Sequence, residues 1–336
     1  MNTIKKILSI RISALGDICM TLPVIDSFCR AYPDVELTFV TSKPGAIITK
    51  SVLNLPNLVV IPINKKDYSG LRGANRLYKD LKINNFDAVA DLHNVLRTIW
   101  LDFRYRLSNK PVAVIDKGRK DKKRLVNHES VIQLKSGIDR YKDVFTRLGF
   151  DFEIDYRGEE HRLESPAKLK SIGIAPFAQH QGKIYPIEKM KKVVDLLVSQ
   201  QPDLHIYLFG GPQETNVLQE WEDMYPDRVT NIAGKQTFAE DLALMSGLNL
   251  MVSMDSANMH LASLVGLRCL SIWGATHIYA GFLGYNQSAE DVVEVNLPCR
   301  PCSIYGNKPC KYKDYRCLAS IEPEGLVKRI LNAAFL

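Results

Sequence analysis

Three groups of residues in this 336-residue sequence have the types and spacing for chemistry. Asp17 follows Gly16 just beyond an apolar run at 6–12, at the carboxyl end of a strand, where open α/β sheets bind their ligands. A carboxylate there can act as a general base, worth roughly 10²–10⁴-fold in rate. The alternative is an acid that only complements the dipole of a helix start, for about 0.3–1 kcal/mol. The second group is Asp255-Ser256-Ala257-Asn258-Met259-His260, which follows another apolar run and opens a helical pattern through Leu261, Ala262 and Leu264. Its small residues let helix-start amides approach a diphosphate closely without a metal. His260 then either meets phosphate or sugar or is a satisfied structural residue. The third group is Cys299-x₂-Cys302-x₇-Cys310-x₆-Cys317, which in a cytosolic chain reads as a structural zinc site, with free thiols as the other reading. Cys19, Cys29 and Cys269 lie in apolar runs as small hydrophobes.

The charge is unevenly spread. The net charge is +7, too low for a dedicated nucleic-acid binder. Ten basic residues stand between 97 and 124, among them Arg97, Lys120, Lys122 and Lys123, against three acids. Such a run is either a solvated loop between strands or a landing surface for phosphates, carboxylates or an anionic membrane face, at about 1 kcal/mol per cation.

The elements that must position these groups alternate. Strands are expected at 6–12, 35–41, 58–63 and 86–92, with a helix carrying Ile18, Leu22, Ile25 and Phe28 and another around 75–83. A charged stretch at 151–169 marks a boundary. Strands then recur at 171–175, 204–209, 248–253 and 269–273, and a helix starts at Pro186. Two doubly wound α/β domains are the expected fold. No run approaches about 18 uncharged apolar residues, and Arg11 breaks the hydrophobic start, so a cytoplasmic chain without a span is expected.

Ile10-Arg11-Ile12-Ser13-Ala14-Leu15-Gly16-Asp17 with Thr21-Leu22-Pro23, and Asp255 to His260, resemble glycosyltransferase family 9, the lipopolysaccharide heptosyltransferases. The likeness extends to Phe86-Asp87 with Asp91, Pro176 with Lys183 and Pro186, Gly210-Gly211 and the cysteine-rich end, nearly the whole chain. The family's usual Asp-Thr-Gly is here Asp255-Ser256-Ala257, and Ala178 and Gln179 stand where hydroxyl residues are frequent.

The resemblance implies a GT-B architecture of two Rossmann-like domains facing a cleft: an acceptor domain at 1–155, a linker at 156–170, a nucleotide-sugar domain at 171–318 and a C-terminal helix at 319–336 folding back toward the first. It implies inversion at the anomeric carbon, with Asp17 as base and Lys183 neutralising the departing diphosphate. Gly210, Gly211, Glu214 and Gln236 fall where the family holds the nucleoside, and Asp255, Ser256, Ala257 and His260 beside the donor phosphates or sugar. Arg11, Ser13, His93, Arg97 and Lys120 are the candidate acceptor contacts. The expected donor is an ADP-sugar, heptose foremost, with no cofactor required. The expected acceptor is an anionic lipopolysaccharide core reached at the cytoplasmic face of the inner membrane, and no nucleic acid is expected as partner. A single-domain epimerase or dehydrogenase is disfavoured, because Gly-x-Gly-x-x-Gly after the first strand and Tyr-x-x-x-Lys are both missing. The remaining alternatives are a transferase using another nucleotide sugar and a non-catalytic nucleotide-sugar or polyanion binder.

Overall fold

The computed structural model describes residues 4–335. Contacts group the chain up to Lys117 with Ser136–Arg157, and Gly118–Lys135 with the chain from Gly158 onward. In the first unit β1 (Lys6–Ile10), α1 (Leu15–Ala31), β2 (Glu36–Ser42), α2 (Lys43–Val52), β3 (Leu58–Ile63), α3 (Gly70–Lys82), β4 (Ala88–Asp91), α4 (Leu96–Leu107) and β5 (Val112–Val114) alternate. Next come α5 (Arg119–Val126), within the Gly118–Lys135 segment, and α6 (Gly137–Thr146), back in the first unit. The second unit continues with β6 (Ser171–Ala175), α7 (Ile187–Gln200), β7 (His205–Leu208), α8 (Thr215–Met224), β8 (Val229–Asn231), α9 (Phe238–Met245), β9 (Leu250–Met254), α10 (Ala257–Leu264), β10 (Cys269–Ile272), β11 (Val292–Val293), α11 (Arg316–Ala319) and α12 (Pro323–Phe335).

Both sheets are parallel throughout, ordered β3-β2-β1-β4-β5 and β11-β10-β9-β6-β7-β8. Helices cover both faces of such sheets, so central strands are apolar on both sides. Ile7, Leu8 and Ile10 of β1, and every residue of β6, are buried accordingly. Gly173 in β6 has a packing reason, since a Cβ there would meet Met251 Sδ at 2.6 Å and Phe209 Cε2 at 2.8 Å. The strand order reverses between β1 and β4, where Ile10 pairs with Asp91, and between β6 and β9, where Ala175 pairs with Ser253. Ligands of doubly wound sheets bind beyond the carboxyl ends of strands at such reversals.

The first unit closes an aromatic cluster between α1 and α6, with Phe28 and Phe145 ring centroids 4.6 Å apart and Phe150 edge-on to Phe28 at 5.3 Å. In the second unit Leu326, Val327 and Ile330 of α12 join the core that Met190, Val193 and Leu197 of α7 help to form.

The basic run at 97–124 is not a loop. It spans α4, β5 and α5, because Thr98, Leu101, Tyr105, Ala113 and Leu125 supply buried positions while Arg106, Arg119, Lys120, Lys123 and Arg124 are exposed. The helix expected at 75–83 begins earlier, at Gly70, behind Ser69.

Candidate active site

In the first unit the chain leaves β1 at Ile10 and enters α1 at Leu15, so that Asp17 stands in the first turn of α1. Its carboxylate is held in place by its neighbours. The Ala14 amide donates to Oδ2 at 3.3 Å, the Tyr141 hydroxyl donates to Oδ1 at 3.2 Å, and Arg11 Nη2 forms an ion pair with Oδ2. Arg11 is buried and donates through Nη1 to the Leu92 carbonyl at 2.8 Å, tying this turn to the end of β4. Burial works to lower the Arg11 pKa, but Tyr141, Asp17 and Asp91 outweigh it and raise it, so the cation is secure. Asp17 keeps 29% of its side chain exposed, open to a substrate despite these partners.

Beyond β4, Asp91 accepts the amides of His93 at 2.7 Å and Asn94 at 2.9 Å and so fixes the turn into α4. His93 lies with Nε2 3.4 Å from the Ser13 hydroxyl. Burial, then Arg11 and Lys117, push its pKa down to about 3. It is therefore a neutral hydrogen-bonding group and a much weaker base than an ordinary histidine. Arg97 is occupied with the loop before α3, donating to the Tyr68 carbonyl at 2.8 Å and the Lys65 carbonyl at 3.2 Å. Lys120 is exposed on α5, in the segment grouped with the second unit. Lys122 is buried, its Nζ 4.2 Å from the centroid of the Phe282 ring, and is not part of an open cationic surface.

In the second unit Lys183 follows β6 in a short turn, and its Nζ lies 2.8 Å from Asp255 Oδ2 at the end of β9. The pair thus sits at the strand reversal, with Lys183 15% and Asp255 4% exposed. Two glycines shape this spot. A Cβ at Gly182 would meet the Gly306 carbonyl at 2.8 Å, and one at Gly306 would meet Lys183 Cγ at 2.6 Å. Gly306 also has φ +73°, a left-handed conformation that favours glycine.

Ser256 precedes α10, but its hydroxyl lies 3.1 Å from that of Ser253 and does not cap the helix. The first-turn amides from Ala257 are left without that side-chain cap, the condition in which a helix start attracts an anion. His260 is buried within α10.

After β7 the Gly211 amide donates to Glu214 Oε2 at 2.6 Å, so Glu214 braces the glycine turn. Gln236 is exposed, immediately before the Thr237–Glu240 capping box of α9.

The four C-terminal cysteines are free. Among the described residues no group of three or more His, Cys, Asp or Glu takes up an arrangement that would hold a metal ion, and of the two readings of the cysteine spacing the structure has the free thiols. Burial raises the Cys302 pKa, and burial raises that of Cys317 to about 11, which keeps both as thiols. Inside this segment Arg300 does structural work that its sequence neighbourhood conceals. It is buried and donates to the carbonyls of Gly274 at 2.6 Å, Val295 at 2.7 Å and Thr276 at 3.0 Å, and to Glu294 Oε2 at 2.8 Å. It thereby ties the loop after β10 to the C-terminal strap.

The sequence reading also missed Asp102 and Tyr141. Asp102 faces Asp91 from the buried side of α4, and burial, then Asp91, push its carboxyl up to about 8. Tyr141 lies 124 residues from the Asp17 it contacts, and no local pattern announces it.

A profile of glycosyltransferase family 9 (heptosyltransferase) matches residues 74–315. The lipopolysaccharide core heptosyltransferase OpsX of Haemophilus influenzae is 23% identical over 280 residues, covering 80% of this chain and 79% of that protein. Lipopolysaccharide heptosyltransferase 1 of Campylobacter coli is 24% identical over 352 residues, covering 97% and 98%. The fold matches that of the E. coli heptosyltransferase WaaC, solved with ADP-2-deoxy-2-fluoro heptose, with TM-score 0.71 and 18% identity over 98% of this chain and 100% of that one. The two parallel-sheet α/β units correspond to the GT-B fold of such structures.

Proposed function

The chain belongs to glycosyltransferase family 9 and is a glycosyltransferase, and from that premise we propose that it moves heptose from ADP-heptose to a sugar of the lipopolysaccharide inner core with inversion. In this reading the first domain binds the acceptor and the second the nucleotide sugar. Asp17 takes the proton of the acceptor hydroxyl as its oxygen forms the new bond to the anomeric carbon. The bond from that carbon to the diphosphate breaks, and ADP leaves with its charge met by Lys183 and the first-turn amides of α10.

The observation that carries this reading is the Asp17 carboxylate, oriented by the Ala14 amide, the Tyr141 hydroxyl and Arg11 while 29% of its side chain stays exposed. His93, with its pKa near 3, is a poor rival for the base. It is assigned with Ser13, Arg97 and Lys120 to acceptor contacts, and Arg11 to fixing Asp17. Asp255 holds Lys183 in place; Ser256, Ala257 and His260 line the phosphates and sugar; Gly210, Gly211, Glu214 and Gln236 receive the nucleoside. The donor assignment draws on the WaaC relative, whose structure holds an ADP-heptose analogue. An acceptor anchored in lipid places the reaction at the cytoplasmic face of the inner membrane. Mass spectrometry of lipopolysaccharide from a strain lacking the protein tests the reading. A core shortened by one heptose is the expected result, whereas a core lacking a different sugar, or an intact core, would sink it.

A further inference from the structure

The outward side of α4 carries an apolar stripe among its arginines. Leu96 is 87% exposed, Ile99 48%, Phe103 49% and Leu107 68%. Spacings of three and four residues put them on one side of the helix, and Thr98, Leu101, Asp102 and Tyr105 take the buried side. Leu71, at the start of the neighbouring α3, is 71% exposed. Single exposed apolar residues are ordinary, but a continuous stripe marks an interaction site.

The charge around the stripe says what covers it. Between residues 65 and 110 the sequence has ten Lys or Arg and five acids, and two of those acids, Asp91 and Asp102, are buried. Arg72, Arg76, Lys79 and Arg106 are exposed on the same two helices. An apolar helical face bordered by cations fits the headgroup region of an anionic bilayer, where apolar burial and charge attraction add. A second copy of this chain would instead set like charges against one another.

We propose that α4 is a membrane-docking helix that seats Leu96, Ile99, Phe103 and Leu107 among the headgroups of anionic phospholipids. This deepens the reading of a lipid-anchored acceptor and depends on it only for its purpose.

Flotation with vesicles of phosphatidylethanolamine and phosphatidylglycerol, against phosphatidylcholine alone, tests it. The wild-type chain is expected to float with the anionic vesicles. The double variant Ile99→Gln/Phe103→Gln is expected to lose at least about tenfold in partition, with unchanged thermal midpoint and unchanged transfer to a delipidated, soluble acceptor. Trp100 lies on α4 while Trp221 and Trp273 are buried, so brominated acyl chains are expected to quench Trp100 in the wild type. No flotation by the wild type, equal flotation by the variant, or no quenching would overturn the proposal. So would a variant that only shifts the sedimentation mass, which assigns the face to a second copy. Intact flotation without any heptose transfer would overturn the functional reading and leave this one standing.

Discussion

At the scale of single residues, the proposed donor chemistry rests on how Lys183 is held. Its Nζ is paired with Asp255 and its stem lies over Gly306, so its position is set before any phosphate arrives. A hydrogen bond to a charged group contributes ~1.5–3 kcal/mol, so Lys183→Ala is expected to weaken ADP roughly 10- to 150-fold by calorimetry. Unchanged ADP affinity would remove Lys183 from the phosphates. Gly306→Ala is expected to reproduce part of that loss with the lysine still present, because its Cβ would displace the Lys183 stem, and to cost about 1–2 kcal/mol through the left-handed backbone. ADP bound as in the wild type would show that the lysine stem is free to move. The position of Asp17 just beyond an apolar strand was legible in the sequence, whereas Lys183 was singled out only through the family resemblance. Tyr141, Asp102 and Gly306 were not legible, since their roles come from contacts across long stretches of chain.

At the scale of elements, α4 is joined to β4 by a carboxyl pair. Asp91 holds the turn amides, and Asp102, pushed up to about 8 from an ordinary 3.8, keeps a proton beside it. The unfolded chain releases that proton at much lower pH, so this contribution to stability is fully present below about pH 4 and is lost as pH rises through about 8. Asp102→Asn retains a hydrogen-bond donor without the titration. Between pH 6.5 and 8.5, above the range where the buried neutral His93 costs stability, the wild-type thermal midpoint is expected to fall more steeply than that of the variant. Parallel curves would show that Asp102 is ionised in the fold. The strands at 58–63 and 171–175 were read to the residue, whereas α4 and α5 were hidden. A helix whose outward face mixes Arg with Leu, Ile and Phe has no clean polar side, and its charge overrides the period of its buried stripe.

At the scale of the whole molecule, the two-fold repetition of strand and helix was legible in the sequence. The crossing of the chain between units was not, because Gly118–Lys135 is too charged to betray the contacts of Leu125 and Leu134 with Ala280. If the second unit binds the nucleotide, ADP is expected to slow amide exchange at 176–186 and 255–264 and to leave 11–17 and 91–97 unchanged; protection of the first unit alone would reverse the assignment. The most direct measurement is heptose transfer by the purified chain from ADP-heptose to a heptose-deficient core acceptor, run in parallel with Asp17→Ala and with ADP calorimetry on both. The wild type is expected to add one heptose. The variant is expected to bind ADP equally while turning over about 10²-fold or more slowly, as loss of a general base requires. Transfer by Asp17→Ala at the wild-type rate would contradict the account.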